Sequence, residues 1–98
     1  MKYQTRGDTG WGLDLYVIWL PDAGIVKIGR SCNCERRFKQ IKNNMPFMHI
    51  ELAAVFPGSG WVESACHRAF DARRCGKEWF RVDREEAVQT VNGILAPI

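Results

Sequence analysis

Leu13-Asp14-Leu15-Tyr16-Val17-Ile18-Trp19-Leu20-Pro21-Asp22-Ala23-Gly24-Ile25-Val26-Lys27-Ile28-Gly29-Arg30 is the stretch whose reading decides the fold. Two runs rich in β-branched and aromatic residues, 13–20 and 25–30, flank a segment with the composition of a turn, Pro21-Asp22-Ala23-Gly24. The pattern predicts a β-hairpin with a longer loop. Strand alternation puts Tyr16 and Ile18 on one face, and Leu15, Val17 and Trp19 on the other. In the second strand Ile25, Lys27 and Gly29 share a face. With the hairpin in register, Tyr16 and Lys27 lie on the same side, and Gly29 leaves room beside them for a ligand.

Working outward, Asn33 is placed to cap a helix over 34–43, with Cys34, Phe38 and Ile41 on its inner face. Asn43-Asn44-Met45-Pro46 stops that helix. A third strand is expected over 48–56, closed by Pro57-Gly58-Ser59-Gly60. A second helix is expected over 61–74, with Val62, Ala65, Cys66, Ala69 and Phe70 facing inward and Gly76 behind it. Residues 78–82 read as a short extended segment. Asp83-x-x-Glu86 has the form of a capping box opening a last helix to Leu95, buried along Ala87, Val88, Val91 and Leu95. The predicted fold is α/β (α+β), a small three-stranded, mainly antiparallel sheet flanked by helices. Residues 1–12 read as a flexible leader with little periodicity, and 13–98 as one domain.

Ninety-eight residues with 46% hydrophobic and 11% aromatic content suffice for one core and exclude a disordered chain. No run is long and apolar enough to span a membrane, and the start lacks a signal-peptide pattern, so a cytoplasmic protein is expected. A net charge of +3 permits nucleic-acid contact without the basicity of a coating protein. The four cysteines, Cys32, Cys34, Cys66 and Cys75, fit no standard zinc spacing. Cys34 and Cys66 read as core residues on helices, Cys32 and Cys75 as residues of connections.

Four stations carry the candidate chemistry: Tyr16, then Lys27, then Arg37, then Glu63 with His67. Arg37 borders the apolar stripe of its helix, where a guanidinium can reach across the sheet edge to a cleft. Glu63 and His67 are i, i+4 on the second helix, and a carboxylate beside a buried stripe is a candidate ligand for a hard cation such as Mg²⁺. The plain alternatives are a half-buried strand tyrosine, an arginine whose stem covers the core, and a surface i, i+4 pair. A basic set, Arg30, Arg36, Lys39, Lys42, Arg68, Arg73 and Arg74, with Trp61 and Trp79, could flank a nucleic-acid backbone, or be ordinary surface charge with core tryptophans.

In order and spacing these stations resemble the GIY-YIG nuclease superfamily, over about residues 13–82. Tyr16 matches the first-motif tyrosine, within Asp14-Leu15-Tyr16, and Lys27-Ile28-Gly29 stands as the second motif. Arg37 follows Gly29 by eight residues, like the family's helix arginine, and Glu63 looks like its metal-binding glutamate. A short phage and bacterial branch is similar in more detail, through Val26-Lys27-Ile28-Gly29-Arg30, Glu63-x3-His67-x2-Phe70 and Glu78-Trp79-Phe80. The chain departs from the wider family at Asp14 and Leu15, at Lys27 in place of a tyrosine, and at Ile41 in place of a helix histidine; the late asparagine has no match.

The resemblance implies a metal-dependent endonuclease that hydrolyses phosphodiester bonds of DNA, one strand per active site. Tyr16 or His67 would be the base, Lys27 and Arg37 would meet phosphate, and Glu63 would hold Mg²⁺ or Mn²⁺. Nucleic acid, DNA above all, would be the partner; a double-strand break would need a homodimer, two binding events or sequential nicks, and sequence specificity would have to come from loops or a partner protein. The rivals are an inactive nucleic-acid-binding module and a protein-interaction scaffold on the same fold.

Overall fold

The computed structural model describes residues 12–96. The leader expected at the start therefore lies outside the described residues except for Gly12. The hairpin forms as β1, Asp14–Leu20, and β2, Ile25–Ser31, with Tyr16 opposite Gly29 and Ile18 opposite Lys27. Its loop closes by hydrogen bonds from the Ala23 and Gly24 amides to the Leu20 carbonyl, at 3.2 and 2.9 Å. Gly24 adopts φ +67°, a conformation that a side chain would strain.

Helix α1, Cys34–Asn43, runs over the residues expected, and the Asn33 side chain accepts from the Arg36 amide at 3.0 Å. Strand β3, Glu51–Phe56, starts later than the sequence suggests. A turn closed by the Met48 amide on the Met45 carbonyl, at 3.1 Å, takes up the residues between. Antiparallel pairing of β3 with β1 carries a register shift between Val17 and Ile18.

The second helix is shorter than expected. A 3₁₀ turn, Gly60–Val62, leads into α2, Glu63–Ala69, and a further 3₁₀ turn follows at Asp71–Arg73. Phe70 turns into the core and ends the α geometry, so the chain leaves the helix and comes back as a strand. That strand is β4, Trp79–Phe80, which pairs with β2 on one side and bridges to Arg74 on the other. The sheet thus has four antiparallel strands, one more than expected, in the order β3-β1-β2-β4.

Helix α3, Arg84–Leu95, is capped by the Asp83 carboxylate on the Glu85 amide at 2.9 Å. The reciprocal half of the capping box does not form. Glu86 instead takes two charge-assisted bonds from Arg73, at 2.7 and 3.1 Å, which tie α3 to the turn after α2.

The sheet separates two apolar clusters. On one face Tyr16, Ile18 and Leu20 pack with Cys34, Ile41 and Ile50 under α1. On the other, Leu15, Val17, Val26 and Ile28 pack with Val62, Cys66 and Phe70 of the α2 segment and Ala87 and Val91 of α3. Each fully buried aliphatic or phenyl side chain contributes about 1.5–3 kcal/mol. Among the described residues no helix is long and apolar enough to cross a membrane.

The cysteines lie as the sequence suggests: Cys34 and Cys66 are buried, Cys32 and Cys75 exposed. Burial pushes both core thiols up to about 11, helped at Cys34 by the charges of Asp14 and Cys32 and at Cys66 by Glu63. Thiol labelling of the native protein is expected to modify Cys32 and Cys75 quickly and to reach Cys34 and Cys66 only in denaturant. Equal rates at all four would contradict this packing.

Candidate active site

Edge strand β4 is only two residues long, and this shapes the site. It covers β2 at Val26 and Lys27, and the Ile28 amide still reaches the Glu78 carbonyl at 3.1 Å. The Ile28 carbonyl, on the same side of β2, receives the Nε2–H of His67 at 2.9 Å. A carbonyl only accepts, so Nε2 carries the proton, and Nδ1 is the nitrogen left for acid–base work. The ring also packs against Phe80, with centroids 5.2 Å apart. His67 therefore takes the place of a strand partner where β4 ends.

On the α1 face of β2, the Tyr16 ring lies over Gly29. A Cβ at position 29 would overlap the tyrosine hydroxyl and ring carbon Cζ. The space expected there for a ligand is filled by Tyr16 itself, which is 2% exposed. Lys27, 8% exposed, holds its Nζ 5.6 Å from the centre of the Tyr16 ring and 6.0 Å from that of Trp79, and it pairs with the Glu78 carboxylate. Trp79 belongs with the core, as its sequence context suggests.

Arg30, on the α2 side of β2, pairs with Glu63 through Nε to Oε1 at 3.3 Å. The Glu63 carboxyl is held above its ordinary value, chiefly by burial and then by the negative charge of Glu78. His67, Arg30 and Lys27 pull it back down in part. Those influences place Glu63, Glu78, His67, Arg30 and Lys27 in one electrostatic neighbourhood around the β2 edge. Among the described residues no group of three or more His, Cys, Asp or Glu forms a metal cluster.

Arg37 is not drawn into these pairs. It lies on the exposed side of α1, and its guanidinium donates to Gln40 at 3.3 Å. Of the basic residues set apart for nucleic acid, Arg36, Lys39 and Lys42 are exposed on the same helix. Arg74 is tied to its own segment, by Asp71 at 3.1 Å, the Lys77 carbonyl and the face of Phe80 at 4.9 Å. A shallow groove between the hairpin loop and α3, lined by Trp19, Glu51 and Arg84 among others, contains none of the candidate residues.

Two partners escaped the sequence reading. Glu78 was visible only as part of Glu78-Trp79-Phe80, and Arg30 as the end of the Val26–Arg30 motif and a candidate nucleic-acid contact, not as the partner of Glu63. The signal available was charge order: a buried-face lysine and an arginine three residues on in β2 each need a carboxylate. Asp14, at the position where the resemblance expects a glycine, has a structural use. Its Oδ1 accepts from the Gly58 amide at 2.8 Å and fixes the turn that leads into α2.

With this geometry in view, the T5orf172 domain profile matches residues 15–95. The chain belongs to the T5orf172 domain family. T5orf172 domains are GIY-YIG-like and nuclease-associated, which gives this chain a nuclease-like or nucleic-acid-related setting. No curated protein and no solved structure matches the chain.

Two outcomes test this T5orf172 site. Gly29→Ala is expected to destabilise the fold by about 1–3 kcal/mol through overpacking on Tyr16. Combining it with Tyr16→Ala should recover part of that loss, as read from urea unfolding. Additive losses would break the link between the two positions. The second outcome concerns pH. Because the folded-state pKa of Glu63 is raised, its stabilising contribution is full below the ordinary glutamate pKa and is lost as pH rises through the folded value. The melting temperature of wild type relative to Glu63→Gln should therefore rise as pH falls from neutral into acid. A relative stability that falls on acidification would reverse the sign.

Proposed function

We propose that the chain is a metal-dependent endonuclease that hydrolyses phosphodiester bonds of DNA, cutting one strand per active site. The observation that supports this reading best is that Tyr16 of β1, and Glu63 and His67 of α2, all pack or pair against β2, the strand that carries Lys27, near the end of its cover by β4. Strand β2 carries Lys27 and Gly29 on one face and Arg30 on the other, so groups from both sheet faces meet there.

The donor set suits a hard divalent cation. Mg²⁺ is commonly held by one or two carboxylates, with waters and substrate phosphates completing the shell. Glu63, half-buried and repelled by Glu78, is a carboxylate that a cation would relieve. Glu63 would hold Mg²⁺ or Mn²⁺, and the ion when bound would supply stabilisation of the leaving 3′ oxygen. The side chains then divide the remaining work. The Tyr16 hydroxyl orients the attacking water or takes its proton, and the Lys27 ammonium beside it stabilises the negative charge that results. Lys27 and Arg37 meet the non-bridging oxygens and the charge that develops on them. His67 steadies the β2 edge through Nε2 and can pass a proton only at Nδ1.

DNA is the partner in this reading, in a cytoplasmic setting. One such site nicks, so a double-strand break takes a homodimer or two successive events, and a partner protein could supply specificity. One observation favours a rival, an inactive nucleic-acid-binding module: the Lys27/Glu78 and Arg30/Glu63 pairs satisfy their charges within the protein. That rival has no metal dependence.

Supercoiled plasmid at low salt, with Mg²⁺ or Mn²⁺ against EDTA, separates the two. Wild type is expected to give nicked circles only with metal, and Glu63→Ala and Arg37→Ala each to lose at least ~10²-fold in rate. A folded Glu63→Ala that nicks at the wild-type rate would remove the glutamate from the mechanism, and DNA binding without cleavage would favour the binding module.

A further inference from the structure

Phe47 is 98% exposed, the most exposed of the large apolar residues described. Folding alone gives no reason for an aromatic ring in that position. The ring is presented by a hydrogen-bonded turn. The Met48 amide bonds the Met45 carbonyl at 3.1 Å, which makes a four-residue turn with Pro46 second and Phe47 third. Proline in that second place pre-sets the turn. Met45 packs on the core beneath α1, and Ile50, 6% exposed, anchors the other end.

The approach to this ring is basic beyond the first turn of α1, where Glu35 is exposed. From Arg36 to Ile50 the sequence holds four Lys or Arg residues and no Asp or Glu. Arg36, Arg37, Lys39 and Lys42 are all exposed on α1, which leads directly into the turn. A second copy of the chain is a poor occupant, since two such faces repel. A membrane surface is a poor one too, because the outward positions of α1 are polar and only Phe47 and Met48 could insert. Nucleic acid fits both halves: phosphates match the cations, and an aromatic ring accepts any base by stacking.

We infer that the exposed side of α1 is a phosphate track and that Phe47, held at the tip of the 45–48 turn, is a wedge that stacks on an unpaired or unstacked base. This deepens the nuclease reading and rests on it, because it names the form of the substrate: a strand with a bulge, a flap, a kink or a single-stranded stretch. At ~1.5 Å per residue, α1 from Arg37 to its end at Asn43 spans ~9 Å, or about two to three base steps at ~3.4 Å each, and the 45–48 turn carries Phe47 beyond that end.

The test is DNA binding in EDTA, so that no cleavage intervenes, with a short duplex carrying 2-aminopurine in a bulge and a fully paired control. Wild type is expected to prefer the bulged DNA and to quench the fluorophore. Phe47→Ala, at a site with almost nothing packed on it, should fold normally, lose the quenching and bind the bulged DNA about ten-fold or more weakly, with an unchanged salt slope. The double variant Lys39→Glu, Lys42→Glu should lower the salt slope while the bound fraction still quenches. Equal binding and quenching by Phe47→Ala would overturn the wedge. So would loss of binding to phosphatidylserine vesicles in that variant with DNA binding untouched, which would assign the ring to a membrane. The plasmid assay keeps the two readings apart: a failed wedge with metal-dependent nicking leaves the nuclease standing, and an intact wedge without nicking leaves a binding module.

Discussion

Tyr16 and Gly29 face each other across the β1–β2 ladder, and the phenol ring lies where a side chain at 29 would have to go. This close approach sets the site. It requires the antiparallel register in which Ile18 meets Lys27, and so it brings Lys27 beside the tyrosine ring. A one-residue slip would send Lys27 and Gly29 to the opposite face and put Arg30 under α1. The same register fixes which face of β2 each cation occupies and therefore which carboxylate each can reach.

A sheet normally keeps its two faces apart, and the candidate residues come from both. Tyr16 and Lys27 lie under α1, while Glu63 and His67 lie on α2 across the sheet. The shortness of β4 resolves this. Past Ile28 the edge of β2 has no strand beside it among the described residues, and side chains from either face can turn around it. His67 supports this edge by supplying the donor that a longer β4 would have supplied.

Local signals carried most of the fold into the sequence. The alternating hairpin residues, the Asn33 cap and the apolar spacing of α3 each depend on near neighbours, and each element formed where it was expected. The elements that moved depend on distant partners. Helix α2 ends early because Phe70 finds a core made by β4 and the hairpin, and β4 is a strand only because β2 offers it an edge. Glu86 left its capping box for an arginine outside its own helix. The site follows the same rule. Tyr16, Lys27 and Glu63 could be singled out by type and order, but their pairing with Gly29, Glu78 and Arg30 is a property of register and of folding across the sheet.

The charge balance of the site bears on what it can bind. Lys27 with Glu78, and Arg30 with Glu63, make two neutral pairs around one strand edge. A phosphate that approaches either cation has to compete with a carboxylate already there, and the carboxylate it frees is half-buried beside another. A lone phosphate gains little from that exchange, because removing one partner of a part-buried pair leaves the other uncompensated. The exchange becomes favourable when the incoming anion brings its own cation to the freed carboxylate. Under the proposed function, a nucleic-acid strand with its divalent counterion would do this, and the exposed cations of α1 would hold the strand while the exchange occurs. The paired charges would then act as a filter against simple anions, and would keep the Tyr16 hydroxyl of that proposal from acting until a polyanion and a metal arrive together.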